Sequence, residues 1–97
     1  MDFRQLEYVI TVAREKTLLS AAKKLFLSPS ALSQHISKLE EDLRTPLFKR
    51  TKQGWLPTPA GQVYIQMAES VLLQKENAYR QINNIADNRA GYFTMGV

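Results

Sequence analysis

The sequence has no cysteine, one histidine, one tryptophan, four glycines and four prolines in 97 residues. Without thiols there is no disulfide framework and no thiolate zinc site, and a reducing compartment suits the chain. One histidine leaves little for a metal centre, and neither paired carboxylates nor a glycine-rich phosphate loop appears. No apolar run approaches the roughly 18 residues of a membrane span. The start, Met1-Asp2-Phe3-Arg4-Gln5, lacks the basic-then-apolar layout of a secretory signal, so a cytoplasmic protein is expected. What is present is a hydrophobic fraction of 44%, enough for one small folded domain with an appendage.

Charge is unevenly placed. Residues 1–58 hold ten Lys/Arg and six Asp/Glu, whereas residues 59–97 hold three of each. The whole excess of +4 therefore lies in the first part, as expected of a part that meets phosphates.

Asp2 and Gln5 form a capping box for a first helix running to about Glu15, with Met1 and Leu6 as its hydrophobic staple. Phe3, Leu6, Val9, Ile10 and Ala13 form its buried stripe. Thr17 caps a short second helix, buried through Leu18, Ala21, Ala22 and Leu25. Phe26-Leu27-Ser28 is then a tight turn into a third helix. Ser28 caps that helix, and Pro29 at its first position has no N–H to lose. A short helix, a three-residue turn and a longer helix read as a helix-turn-helix over about residues 18–43.

The third helix has two faces. Leu32, Ile36, Leu39 and Leu43 recur at i, i+4, i+7 and i+11 and belong to a core. Ser30, Ser33, Gln34 and Ser37 lie opposite, small uncharged donors and acceptors suited to base edges in a major groove. Gln34 is the expected adenine reader, and Pro29 and His35 fall in the same window. Glu40, Glu41 and Asp42 would repel phosphates, so that end should point away from DNA.

Leu47-Phe48-Lys49-Arg50 and Trp55-Leu56-Pro57 flank Thr51-Lys52-Gln53-Gly54, which predicts a basic hairpin. Lys38, Lys49, Arg50 and Lys52 are expected on phosphates, with Ser28, Thr51 and Gln53 as polar neighbours. From Pro59 a long helix is expected over residues 59–89, about 45 Å at 1.5 Å per residue. Tyr64, Met67, Val71, Ala78, Ile82 and Ile85 follow a near-heptad spacing, interrupted at Gln74 and Lys75. A head of 58 residues cannot cover that length, so the stripe predicts a coiled-coil-like homodimer. Gly91 should stop the helix, and Tyr92-Phe93-Thr94-Met95 has strand composition without a partner, so residues 90–97 read as the start of a further domain.

Two rival classes fare worse. An enzyme would have to use His35 with a nearby serine, and no acid is placed to orient the ring except Glu41 or Asp42. A helix-turn-helix kept only for dimerisation would not need the charge partition or the acid-free face.

These residues together resemble the N-terminal part of LysR-type transcriptional regulators. The resemblance rests on Arg4-Gln5-Leu6 with Tyr8, on Ala21, Ala22 and Leu25, and on Ser28, Ala31, Leu32 and Ser33. It continues through Ile36, Leu39 and Glu40, then Leu47, Phe48 and Arg50, then Thr58, Ala60 and Gly61, at consistent spacing over residues 2–61. It implies a mainly α winged helix-turn-helix, three helices plus a two-stranded wing, over residues 1–58, followed by a long dimerisation helix. It implies double-stranded DNA as partner, a nucleoid location, and tetramers in the intact protein. A small-molecule effector would bind only a further domain beginning near Gly91, and neither cofactor nor metal is implied. The chain departs from the family's usual pattern at Pro29-Ser30, where Gln-Pro is common, at His35 and Gln53, where Gln and Arg are usual, and at Thr17-Leu18-Leu19. Those departures bear on the target sequence, not on the class.

Overall fold

Each of the first three helices begins at a side chain that caps it. In the computed structural model, which describes residues 2–94 with side chains through residue 88, α1 spans Phe3–Glu15, α2 Leu18–Leu25 and α3 Pro29–Leu43. Gln5 donates its backbone N–H to Asp2 Oδ1 at 3.0 Å, and the Asp2 N–H donates to Gln5 Oε1 at 3.4 Å. That first bond holds the Asp2 carboxyl below its ordinary pKa. Ser20 donates to Thr17 Oγ1 at 3.2 Å and Ala31 to Ser28 Oγ at 3.1 Å. Met1, the expected staple partner of Leu6, lies outside the described residues. All three helices end on a non-glycine residue in the left-handed region: Lys16, Phe26 and Arg44, with φ of 68°, 57° and 58°. Phe26 holds this conformation while almost wholly exposed.

The hairpin follows as β1 (Phe48–Thr51) and β2 (Gly54–Pro57), antiparallel, with Arg50 opposite Trp55 and Thr51 opposite Gly54. Lys52 and Gln53 alone form the turn, two residues shorter than the expected loop, because Thr51 and Gly54 pair. Gly54 is required: its φ is +118°, and a Cβ there would sit 2.5 Å from the Lys16 carbonyl oxygen. That oxygen accepts the Trp55 N–H at 2.7 Å, so the wing leans on the end of α1.

The core joins α1, α3 and Leu47, each of Leu6, Val9, Val12, Leu32, Ile36 and Leu47 being at most 1% exposed, to Ala21 and Ala22 of α2, Phe48 and Trp55 of the wing and the start of the last helix. Val12 was not in the expected stripe, and Phe3, which was, is 45% exposed. α1 contacts α2, α3, α4 and β2, so its buried arc is wider than one stripe, and it begins at Leu6. Phe3 instead lies under Lys75, whose Nζ is 4.6 Å from the ring centroid.

The last helix, α4, spans Pro59–Thr94. Thr58 caps it, its Oγ1 accepting the Gly61 N–H at 3.0 Å. Two expectations fail here. Tyr64 is not on a free dimer stripe: it is 6% exposed and packs in the head's own core with Ala68, because the first turns of α4 lie against α1. Met67 and Val71 are partly buried on the same core, whereas Ala78, Ile82 and Ile85 are exposed. The helix also runs through Gly91 to Thr94, so no strand begins at residue 92. Interior glycine costs a helix only about 1 kcal/mol relative to alanine. A lone strand would leave its backbone groups unpaired, whereas helix satisfies them locally. The remainder of that expected strand, residues 95–97, lies outside the described residues.

Candidate nucleic-acid interface

α3 exposes one polar face because its other face is core. Leu32, Ile36 and Leu39 are buried, and the residues turned away from them are Ser30, Gln34, Ser37 and Lys38, all exposed, with the exposed Glu41 closing the same face at the helix end. Their helical spacing of i, i+4, i+7 and i+8 puts these four side chains on one solvent-facing surface. Ser33 is half-buried, and its i+7 neighbour is Glu40, so it sits on the edge of α3 nearest the wing. Pro29 and Ser28 are exposed at the helix start, with Ser28 Oγ 3.4 Å from Ser30 Oγ. Pro29 has no N–H and the Ala31 N–H is taken by Ser28 Oγ, so the Ser30 N–H is what this first turn offers an anion, at the positive end of the helix dipole.

His35 stands elsewhere. Its ring lies 5.1 Å from that of Tyr8, tilted by 49°, on the flank of α3 that faces α1. His35 is exposed but stands to one side of Gln34, because adjacency in sequence turns a helical side chain through about 100°.

The wing places its cations by strand alternation. Lys49 lies opposite Leu56 on one exposed face, and Lys52 and Gln53 project from the tip. Arg50 shares the other face with Trp55, its guanidinium stacked 4.2 Å from the indole centroid. Stacking covers the plane of the guanidinium and leaves its N–H edges free for a phosphate. Thr51 does not serve as expected. Its one hydroxyl proton is donated to the Gly54 carbonyl at 2.9 Å, and its oxygen accepts the Gln53 N–H at 3.2 Å. It shapes the turn and has no proton left for a phosphate.

Among the described residues, ion pairs occur at Arg4–Asp2 (3.8 Å) and Lys24–Glu15 (3.2 Å). Lys38, Lys49, Arg50 and Lys52 take part in neither, so the cation on the polar face of α3 and the three of the wing have no ion-pair partner among the described residues. No group of three potential metal ligands comes together among the described residues. No described helix is long and apolar enough to cross a membrane.

Sequence reasoning missed Glu40. It was grouped with Glu41 and Asp42 as an acid turned from DNA, yet its Oε2 accepts the Leu47 N–H at 2.7 Å and the Phe48 N–H at 3.2 Å. The available signal was its awkward place: a carboxylate in a helix's last turn opposes the dipole and invites a partner elsewhere.

A helix-turn-helix whose second helix bares a small polar face, flanked by a basic two-stranded wing, defines a winged helix-turn-helix protein. Residues 3–62 match the family described as bacterial regulatory helix-turn-helix protein, lysR family, and the chain belongs to it. It is 37% identical over 97 residues to the HTH-type transcriptional regulator BudR of Klebsiella aerogenes, covering all of this chain and 68% of that protein. It is 36% identical over 97 residues to the HTH-type transcriptional regulator BsdA of Bacillus subtilis (strain 168). That match takes in 99% of this chain but spans only 33% of BsdA. The fold is similar to that in the crystal structure of a BenM_DBD/catB site 1 DNA complex, with a TM-score of 0.83 and 31% identity over 89% of this chain and 97% of that one.

Proposed function

We propose that this chain is the DNA-binding part of a transcriptional regulator and binds double-stranded DNA sequence-specifically. The observation that carries the reading is the solvent-facing set Ser30, Gln34, Ser37 and Lys38 beside a wing with three free cations. α3 enters the major groove, where the Gln34 amide matches adenine N6 and N7, and Ser30, Ser37 and, at the edge, Ser33 contact neighbouring base edges. Lys38, Lys49, Arg50 and Lys52 hold phosphates and fix the register, with Ser28 and Gln53 as polar supports. The exposed Ala78, Ile82 and Ile85 of α4 pair with a second copy, so that two α3 helices meet a roughly two-fold-symmetric site. Family membership and the likeness to a DNA-complexed BenM domain support this reading. We extend this reading to tetramers in the intact protein, to effector binding by a further domain, to a cytoplasmic, nucleoid-bound location and to a regulator rather than an enzyme.

Selection of bound duplexes from a random pool, followed by a salt series on the selected site, tests the proposal. Gln34→Ala should cost about 1–3 kcal/mol on that site and relax one base position. Arg50→Ala should weaken every sequence alike and lower the slope of log K against log salt by about 1. A pool that yields no enriched sequence, with equal binding by the Gln34→Ala variant, would overturn base reading by α3.

A further inference from the structure

The segment that joins α3 to the wing is held on both sides. Glu40 Oε2 accepts the N–H groups of Leu47 and Phe48, residues that are 1% and 6% exposed. On the carbonyl side, Thr58 Oγ1 donates to the Pro46 oxygen at 2.7 Å and the Thr58 N–H donates to the Leu47 oxygen at 3.0 Å. A Cβ at Gly61 would run into that same Leu47 oxygen, so α4 sits directly against the segment. Among the described residues, the side-chain hydrogen bonds from α3 to this segment are both those of Glu40. β1 starts at Phe48, so the atoms held by Glu40 are the root of the strand that carries Lys49 and Arg50. The carboxylate itself lies on the edge of α3 beside Ser33, turned from the face that bears Gln34 and Lys38.

We propose that Glu40 is a positioning residue for DNA engagement: it sets the reach from the base-reading face of α3 to the basic wing. The proposal rests on the DNA-binding reading above. Glu40 touches no base or phosphate. Its charge is met by two backbone N–H groups, so an acid can stand between two DNA-contacting elements. A duplex can be gripped by helix and wing together only at one spacing between them, and the hydrogen bonds to the hairpin root fix that spacing. An amide at position 40 keeps an oxygen that accepts the same N–H groups, whereas alanine leaves two buried donors unmet.

The test is a salt series of binding to a labelled random-sequence duplex by the 97-residue chain. Wild type, Glu40→Gln, Glu40→Ala and Glu40→Asp are compared, each with and without Lys49→Ala plus Lys52→Ala, at a temperature where circular dichroism shows the variants folded. Glu40→Asp withdraws the carboxylate by one methylene and replaces the alanine variant if that one does not fold. Glu40→Gln should keep the wild-type slope. Glu40→Ala and Glu40→Asp should lower the slope of log K against log salt by about 1–2, the share of two wing lysines. In the background lacking those lysines, the same substitutions should lower the slope by less, because Arg50 is then the one wing cation left to lose. Equal losses in both backgrounds at an unchanged slope would mean that Glu40 only stabilises the fold, and would overturn the proposal. A wild-type chain that shows no salt-dependent binding would instead overturn the DNA-binding reading and this proposal with it.

Discussion

The head and the far half of α4 are both helical, yet different interactions hold them. In the head, each helix is capped by a side chain, and Leu32, Ile36 and Leu47 are almost wholly buried. Two tertiary hydrogen-bonded clamps, at Glu40 and Lys16, fasten the wing. Beyond Lys75, whose ammonium lies over the Phe3 ring, α4 leaves its large apolar side chains uncovered: Tyr79, Ile82 and Ile85 are each 58% exposed. The difference teaches that one region is held by its own core, whereas the other leaves an apolar face uncovered. A helix of this length gains most of its stability from an apolar face that something covers.

The largest expected effect breaks the head alone. Leu32→Ala removes a side chain that is 0% exposed at the crossing of α3 and the core. It should cost about 2–5 kcal/mol, read as a lower denaturation midpoint by tryptophan fluorescence of Trp55. The complementary change breaks the arm alone. Ile82→Asp with Ile85→Asp should remove about 1.5–3 kcal/mol of apolar burial per side chain from the pairing of two copies. Sedimentation should then show monomer while the melting midpoint of the head moves little; a dimer that persists would place the interface elsewhere.

The smallest effect sharpens the boundary between the two regions. Tyr64 sits at their junction, and its buried hydroxyl has no hydrogen-bond partner among the described residues. Burial, with Asp2 adding to it, raises the pKa of its phenol above the ordinary tyrosine value. A raised folded pKa means that stability is intact below the ordinary value and is lost as pH rises through the folded one. Tyr64→Phe should therefore be neutral or stabilising by about 1 kcal/mol at pH 7. It should also remove part of the alkaline loss of stability, as measured by denaturation at neutral and alkaline pH.

Local features of the head were legible because they act over three or four residues. Asp2, Thr17, Ser28 and Thr58 each reach an N–H three positions on, and a sequence displays that spacing directly. The same holds for the two faces of α3, which follow from periodicity. Contacts between elements were not legible. Nothing in the run of residues says that Glu40 meets Leu47 and Phe48, that His35 lies on Tyr8, or that Arg50 lies on Trp55. Tyr64 was misread for a related reason. Heptad spacing reports that a face is apolar, not whether α1 or a second copy covers it.

The continuation of α4 past Gly91 shows the limit from the other side. Glycine weakens a helix by a small local term, and the alternative strand needed a partner that its own composition could not supply. The chain's order of residues thus settled the caps, the helix faces, the hairpin and the side of the molecule that carries the charge, all set by interactions within a few residues. Tertiary structure decided which apolar positions are core, which polar ones remain free for a ligand, and how far the wing stands from α3. Those outcomes depend on packing and hydrogen bonds between distant segments, whose geometry exists only once the chain has folded.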